Sequence, residues 1–263
     1  MSKQTGVKIH PTAIIEEGAE LGVNVEIGPY SVIGPDVVLE DDVKIASHVV
    51  IAGDSHIGPR TRVWQFASLG TAPQDLKYKG EKTRFVCGSD NMFRECVTVS
   101  LGTESGGGLT SIGSHNLFMA YTHVAHDCII QDNCVFANGA TLAGHIEIDS
   151  GAVIGGLVAL HQFVKVGSLA MLAGGSMVAQ DVPPFTMVFG NRAKPVGLNK
   201  LGIERAKFHE DAVVNIKKMY KALFLSSLSL EEAKAEISKL VPHKDEVSLF
   251  MNFLNRSSRG ICR

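Results

Sequence analysis

The chain has 263 residues, 45% of them hydrophobic, with a formal net charge of −2, which fits one large core or two modest domains and excludes a disordered or strongly nucleic-acid-binding chain. No apolar run approaches the roughly 20 residues that span a bilayer, and the opening MSKQTGVKIHPTA lacks the profile of a secretory leader, so no membrane insertion and a cytoplasmic location are expected. The five cysteines (Cys87, Cys96, Cys128, Cys134, Cys262) are odd in number and form no CxxC pair, so reduced, mostly buried thiols are expected rather than disulfides or a cysteine-built zinc site.

From the N-terminus the chain steps by six. Ile9, Ile15, Leu21, Ile27, Ile33, Leu39, Ile45, Ile51, Ile57, Val63 and Leu69 form one register, and Ile112, Phe118, Val124, Ile130, Phe136, Leu142, Ile148, Ile154, Leu160, Val166, Leu172 and Val178 form a second. A period of six fits neither the 3.6 of a helix nor a heptad, but it contains whole multiples of the strand period of two. Two residues before each aliphatic stands a small or β-branched residue (Ala13, Ala19, Val25, Ser31, Val37, Val43, Val49). The residue after it is often glycine (Gly22, Gly28, Gly34, Gly58), which is expected to let the chain fold back at a corner. Three hexads then make a triangular coil of 18 residues, stacked on the next at about 4.8 Å. This predicts a mainly β protein, a parallel β-helix over residues 1–190.

Two polar, Gly- or Pro-containing segments interrupt the register near residues 71–84 and 101–110, with a brief return at Cys87, Phe93 and Val99 between them, and both are expected to be loops leaving a rigid scaffold. After QDVPPF the hexads stop. A capping box at Ser229-x-x-Glu232 and the run IERAKFHEDAVVNIKKMYKALF predict a small helical domain over residues 191–263. That segment holds 14 Lys and Arg against 8 Asp and Glu, a net of +6, so the first 190 residues carry −8. A basic C-terminal domain suits an acidic protein partner or a phosphate-bearing substrate.

The 18-residue coil gives the motif HVAHDC a geometry, because residues 18 apart stack on one edge of the prism. His126 falls two residues after the inward Val124, at a corner, in column with Gly144 and Gln162, while His123 alternates outward. His145 follows Gly144 one coil later and His161 follows the inward Leu160 another coil on. Four of the ten histidines thus gather within about three coils, roughly 10 Å of height. Two chemistries can use such a cluster. His126 can be a general base, its ring oriented by Asp127 or another nearby acid or carbonyl, with the unscreened Gly144 N–H donating to a developing oxyanion. Alternatively three histidines can hold zinc with an open position for water, as in a hydratase, although side chains spread over three coils converge poorly without a neighbouring subunit.

QFASLG, QDLKY, HVAHDC, ATLAGH, LHQF, AQDVPPF and the closing RSSRGICR stand in the order and spacing of the UDP-N-acetylglucosamine 3-O-acyltransferase family, one of the hexapeptide-repeat acyltransferases, and the similarity covers essentially the whole chain. The resemblance implies a left-handed coil and a homotrimer with sites between neighbouring subunits. It implies transfer of a 3-hydroxyacyl chain from acyl carrier protein to the glucosamine 3-hydroxyl of UDP-N-acetylglucosamine, the first step of lipid A synthesis. The donor travels on the carrier's phosphopantetheine arm, so no cofactor and no metal are implied. His126, Asp127 and Gly144 match the catalytic positions. Gln74, Asp75, Lys77, His123, His145, His161 and Gln162 match contacts to sugar and donor. Asn199 and Arg205 match contacts to the nucleotide phosphates, and Gly174 matches the position that limits acyl length, where so small a residue implies a long donor. The chain departs from the family pattern at Arg192, Lys200 and Ala206, all near the phosphate contacts. The enzyme alternative is a zinc-dependent hydratase on the same fold.

Overall fold

The computed structural model describes residues 5–240 and 245–263. Among them, strands mostly two residues long assemble into three sheets, one of eleven strands, a second of nine and a third of eight. The chain visits the three in turn, so each residue pairs in parallel with the residue one coil on, as in Val124↔Leu142 and Ile130↔Ile148. The offset grows from 18 to 30 at Arg62↔Met92 and to 25 at Met92↔Leu117, and these two coils absorb the two insertions. Inside the prism the aliphatic positions stack vertically. Phe93, Phe118 and Phe136 form a column with ring centroids 4.9 and 4.6 Å apart, planes within 7°, which is the strand spacing itself. The small partner positions Val25, Ser31, Val37, Val43 and Val49 are fully buried beside them. Ile9 is 43% exposed because it lies in the terminal coil, at the open end of the stack.

The corners are built differently from the sequence expectation. Gly22, Gly28 and Gly58 keep ordinary backbone angles, and their smallness serves close approach: a Cβ at Gly28 would stand 2.7 Å from the Ala46 carbonyl carbon in the next coil. The left-handed residue comes three positions after the inward aliphatic, at Asn24, Asp42, Asp127 and His145 but also at Tyr30, Phe66 and Leu157. Asn, Asp and His tolerate that region best, and stacked coils hold the bulkier residues there.

At the C-terminal end the strand Thr186–Phe189 pairs antiparallel with Lys194–Leu198. The long helical run then splits into α1 (Lys200–Arg205) and α2 (Glu210–Tyr220), with Lys207 in the left-handed region between them, followed by α3 (Leu230–Ser238) and α4 (Asp245–Arg256). The capping box forms, the Ser229 hydroxyl accepting from Glu232 N and the Glu232 carboxylate accepting from Ser229 N. Ile216, Met219, Leu223, Ile237, Phe250 and Phe253 make a core of their own, joined to the coil through Phe185.

Two polar clamps fix this unit. Arg256 of α4 pairs with Glu147 and Asp149 on the third sheet. The fully buried Asp181 accepts from Lys165 N at 2.8 Å and, through its other oxygen, from Ser257 Oγ at 2.6 Å, Ser258 N at 3.0 Å and Arg259 N at 3.1 Å. The closing RSSRGICR segment is therefore wrapped around one carboxylate. Asp181→Ala strands four donors, and thermal unfolding is expected to show a loss of about 3 kcal/mol or more.

Candidate active site

The prism has three edges, and both insertions leave from the edge between the second and third sheets. One joins strand Ser68–Thr71 to Arg84–Cys87, and the other joins Thr98–Ser100 to Leu109–Ile112. His126 lies on this same edge, between His123–Val124 and Ile129–Ile130. The insertions face the corners of the following coils across a cleft of about 880 Å³, lined by Gln74, Asp75, Lys77, Gly106, His126, His145, Gln162 and Phe163 among others.

At its floor the His126 ring, 16% exposed, places Nδ1 2.7 Å from Oδ2 of Asp127, whose carboxylate is 1% exposed. Thr103 donates to that carboxylate twice, from its backbone N to Oδ1 at 2.8 Å and from its hydroxyl to Oδ2 at 2.6 Å. The carboxylate accepts from Nδ1–H, which fixes the imidazole tautomer and leaves Nε2 with a free lone pair facing the cleft. The ring rests on Gly144, where an added Cβ would lie 2.6 Å from Cε1 and 2.8 Å from Nε2. Among the described residues no acceptor takes the Gly144 N–H, although its neighbours His145 and Phe163 donate to the carbonyls of His126 and Gly144.

His145 completes the floor. Its ring meets His126 edge-on with centroids 5.0 Å apart and stacks on Phe163 at 4.4 Å, while its Nδ1 stays 3.8 Å from the Asp127 carboxylate. Burial holds its pKa below the usual imidazole value, against the pull of the Asp127 charge, so it is neutral at neutral pH. His123 is likewise lowered, chiefly by burial and then by the neighbouring His126, and its Nδ1 lies 2.7 Å from Thr98 Oγ1. Burial pushes the thiols of Cys87, Cys128, Cys134 and Cys262 up to about 12, which removes them from nucleophilic chemistry.

The remaining sequence-derived residues divide by position. His161 lines an adjoining apolar trough of about 500 Å³ with Ala143, Ala159, Met177 and Arg192, and Gln162 is shared between trough and cleft. Asn199 and Arg205 line a separate pocket of about 620 Å³ at the edge between the third and first sheets. There the Asn199 side chain is already committed, accepting from Gly202 N at 3.0 Å as the cap of α1 and donating to Leu169 O at 2.8 Å. Arg205 is the charge left for a ligand in that pocket. Gly174 lies on the third edge, between Met171–Leu172 and Met177–Val178. Thr103 and Gly106, which enclose the Asp127 carboxylate, belong to the second insertion and are residues that sequence periodicity did not single out.

Among the described residues one group gathers three metal-type donors, His126, Asp127 and His145, with ligand atoms within 4.8 Å of one another. The 2.7 Å between Nδ1 and Oδ2 is a hydrogen-bond length, whereas two ligands of one tetrahedral zinc stand about 3.3 Å apart. The donor set is therefore that of a proton-transfer pair, and among the described residues no three imidazoles gather within ligand distance of one another.

Comparison with known proteins agrees with this geometry. A family model described as Udp N-acetylglucosamine O-acyltransferase, Domain 2, matches residues 181–262, and the bacterial transferase hexapeptide repeat matches residues 21–53 and 109–144. The solved structure of LpxA from Acinetobacter baumannii is 41% identical with a TM-score of 0.94, covering 97% of this chain and 99% of that one. The UDP-N-acetylglucosamine acyltransferase of Francisella novicida is 37% identical with a TM-score of 0.95 (97% and 94% covered), and that of Campylobacter jejuni is 40% identical with a TM-score of 0.91 (97% and 99%). The match extends over coil and helical unit alike, so the β-helix is left-handed. The chain belongs to the UDP-N-acetylglucosamine O-acyltransferase family of hexapeptide-repeat enzymes.

Proposed function

We propose that the chain moves a 3-hydroxyacyl group from acyl carrier protein to the 3-hydroxyl of UDP-N-acetylglucosamine in the first step of lipid A synthesis, with His126 as general base. The observation that carries the mechanism is the 2.7 Å contact between His126 Nδ1 and the buried Asp127 carboxylate, above a glycine whose N–H has no intramolecular acceptor among the described residues. His126 Nε2 removes the proton as the sugar O3 attacks the thioester carbonyl carbon, and Asp127 stabilises the imidazolium. The Gly144 N–H holds the tetrahedral oxyanion. Collapse breaks the C–S bond, and the imidazolium returns its proton to the pantetheine thiolate, giving the 3-O-acyl sugar nucleotide and free carrier thiol. Every proton is handled by this chain's own side chains and the acyl group arrives activated, so the step requires neither metal nor resident cofactor.

The placement of the other residues supports a homotrimer. His126, Gly174 and Arg205 lie on three different edges of one prism, so one substrate touches all three positions only where edges of neighbouring subunits meet. A neighbour also closes an outward-facing cleft against water. Gln74, Asp75 and Lys77 are placed to contact sugar and donor from the first insertion, with His123, His145, His161 and Gln162 behind or beside them. The basic helical unit suits acidic acyl carrier protein, and Arg205 suits the diphosphate through its bidentate fork.

Incubation with 3-hydroxyacyl carrier proteins of several lengths and UDP-N-acetylglucosamine tests the reading. One carrier thiol should be released per sugar nucleotide acylated, and absence of transfer with every donor would overturn it. Gly144→Ala gives a sharper probe. The backbone there accepts alanine, but the methyl group enters the space of the His126 ring. Turnover is expected to fall about 10²-fold with unfolding temperature nearly unchanged, read from kcat and a thermal melt.

A further inference from the structure

The second insertion has a task that no substrate contact explains. Its 3₁₀ turn, Glu104–Gly106, brings Thr103 over the Asp127 carboxylate. The loop is pinned at its base, where Gly102 N donates to Arg84 O at 3.1 Å and Arg84 N to Gly108 O at 2.8 Å. It is also closed on itself, the Thr103 carbonyl accepting from Gly106 N at 3.0 Å and Gly108 N at 2.8 Å. Thr110, just after the turn, accepts from the Asp127 backbone N at 2.8 Å. Asp127 is thus held at its carboxylate by the loop and at its backbone by the strand that follows it. Gly106 completes the enclosure: a Cβ there would lie 2.1 to 2.4 Å from the three carboxylate atoms, so only glycine fits against them.

We propose that Thr103 is a positioning residue for the catalytic pair, setting the plane of the Asp127 carboxylate through two donors so that Oδ2 faces His126 Nδ1. The inference rests on the reading of His126 as the base. Two bonds from one residue, one to each oxygen, fix rotation about the Cβ–Cγ bond as a single bond cannot. A competing partner is close, since His145 Nδ1 lies only 3.8 Å from the same Oδ2. Without the hydroxyl only the backbone N–H of Thr103 holds the carboxylate, which is then free to turn Oδ2 away from His126 Nδ1.

Thr103→Val keeps the size and the backbone donor and removes the hydroxyl. The expected result is a fall in kcat of about tenfold with an unchanged KM for UDP-N-acetylglucosamine and an unchanged unfolding temperature. Thr103→Ser should restore kcat. Gly106→Ala, at a position outside the left-handed region, should disturb the pair from the opposite side and lower kcat without changing KM. The inference is overturned if Thr103→Val leaves kcat as in the wild type, if kcat falls together with the unfolding temperature, if KM rises instead of kcat falling, or if serine fails to rescue. His126→Ala, assayed alongside, separates the two levels: full turnover in that variant overturns the assignment of the base itself, whereas loss of turnover there with wild-type behaviour at Thr103 overturns only the positioning role.

Discussion

His126→Ala should lower kcat by about 10² to 10⁴-fold, the range a general base contributes, while the fold persists. The ring is an outward side chain at a corner, 16% exposed, and its Nδ1 bonds to Asp127. The inward packing of that coil comes from Val124 and Cys128, both fully buried, and neither is touched by the substitution. Loss of turnover without loss of thermal stability or of the proposed trimer therefore separates a chemical role from a structural one. A variant that unfolds or dissociates would instead make the histidine a packing residue. Kinetics with saturating donor and acceptor, paired with a melt and a sedimentation profile, reads all three quantities.

Asp127→Asn tests the same pair through its tautomer and is expected to cost a comparable 10² to 10⁴-fold in kcat, about what loss of the orienting acid costs in the Ser-His-Asp template. Thr103 presents two donors to this side chain. The amide oxygen of asparagine takes the Thr103 backbone N–H at the Oδ1 position, which puts its NH₂ at the Oδ2 position, toward His126 Nδ1 and the Thr103 hydroxyl. Nδ1 must then accept, the ring proton moves to Nε2, and no lone pair remains to receive the sugar hydroxyl proton. Size is preserved, so KM for the acceptor should hold while kcat collapses. Equal losses in kcat and stability would place Asp127 in the scaffold instead.

How much of this was legible in the sequence follows from period and range. The six-residue repeat fixed the coil because inward side chains must recur wherever a parallel strand returns to the same sheet, and Ile112 through Val178 do so without a break. The stacking of His126 on Gly144 followed from the 18-residue coil. Corner chemistry did not, since the left-handed position is occupied by residues as unlike as Asp127, Tyr30 and Leu157, and composition carries no signal when stacking enforces the angle. The cluster of four histidines resolved into two in the cleft, because His161 turns into the adjoining trough and His123 bonds to Thr98. Asn199 has a second task that motif matching did not show, since its amide caps α1 and holds Leu169. Thr103 could not be read at all, because its contact spans 24 residues across an insertion that breaks the repeat. The signal that could have found it is the glycine-rich loop returning to the same edge as HVAHDC.

A base at His126 needs an unprotonated Nε2 facing the sugar hydroxyl, held so by Nδ1–H donating to Asp127. Nitrogen NMR of protein labelled in histidine, with the His126 signals assigned by difference from His126→Ala, observes this directly. A protonated Nδ1 and a bare Nε2 are expected in the resting enzyme. A neutral His126 ring carrying its proton on Nε2 would rule out the base.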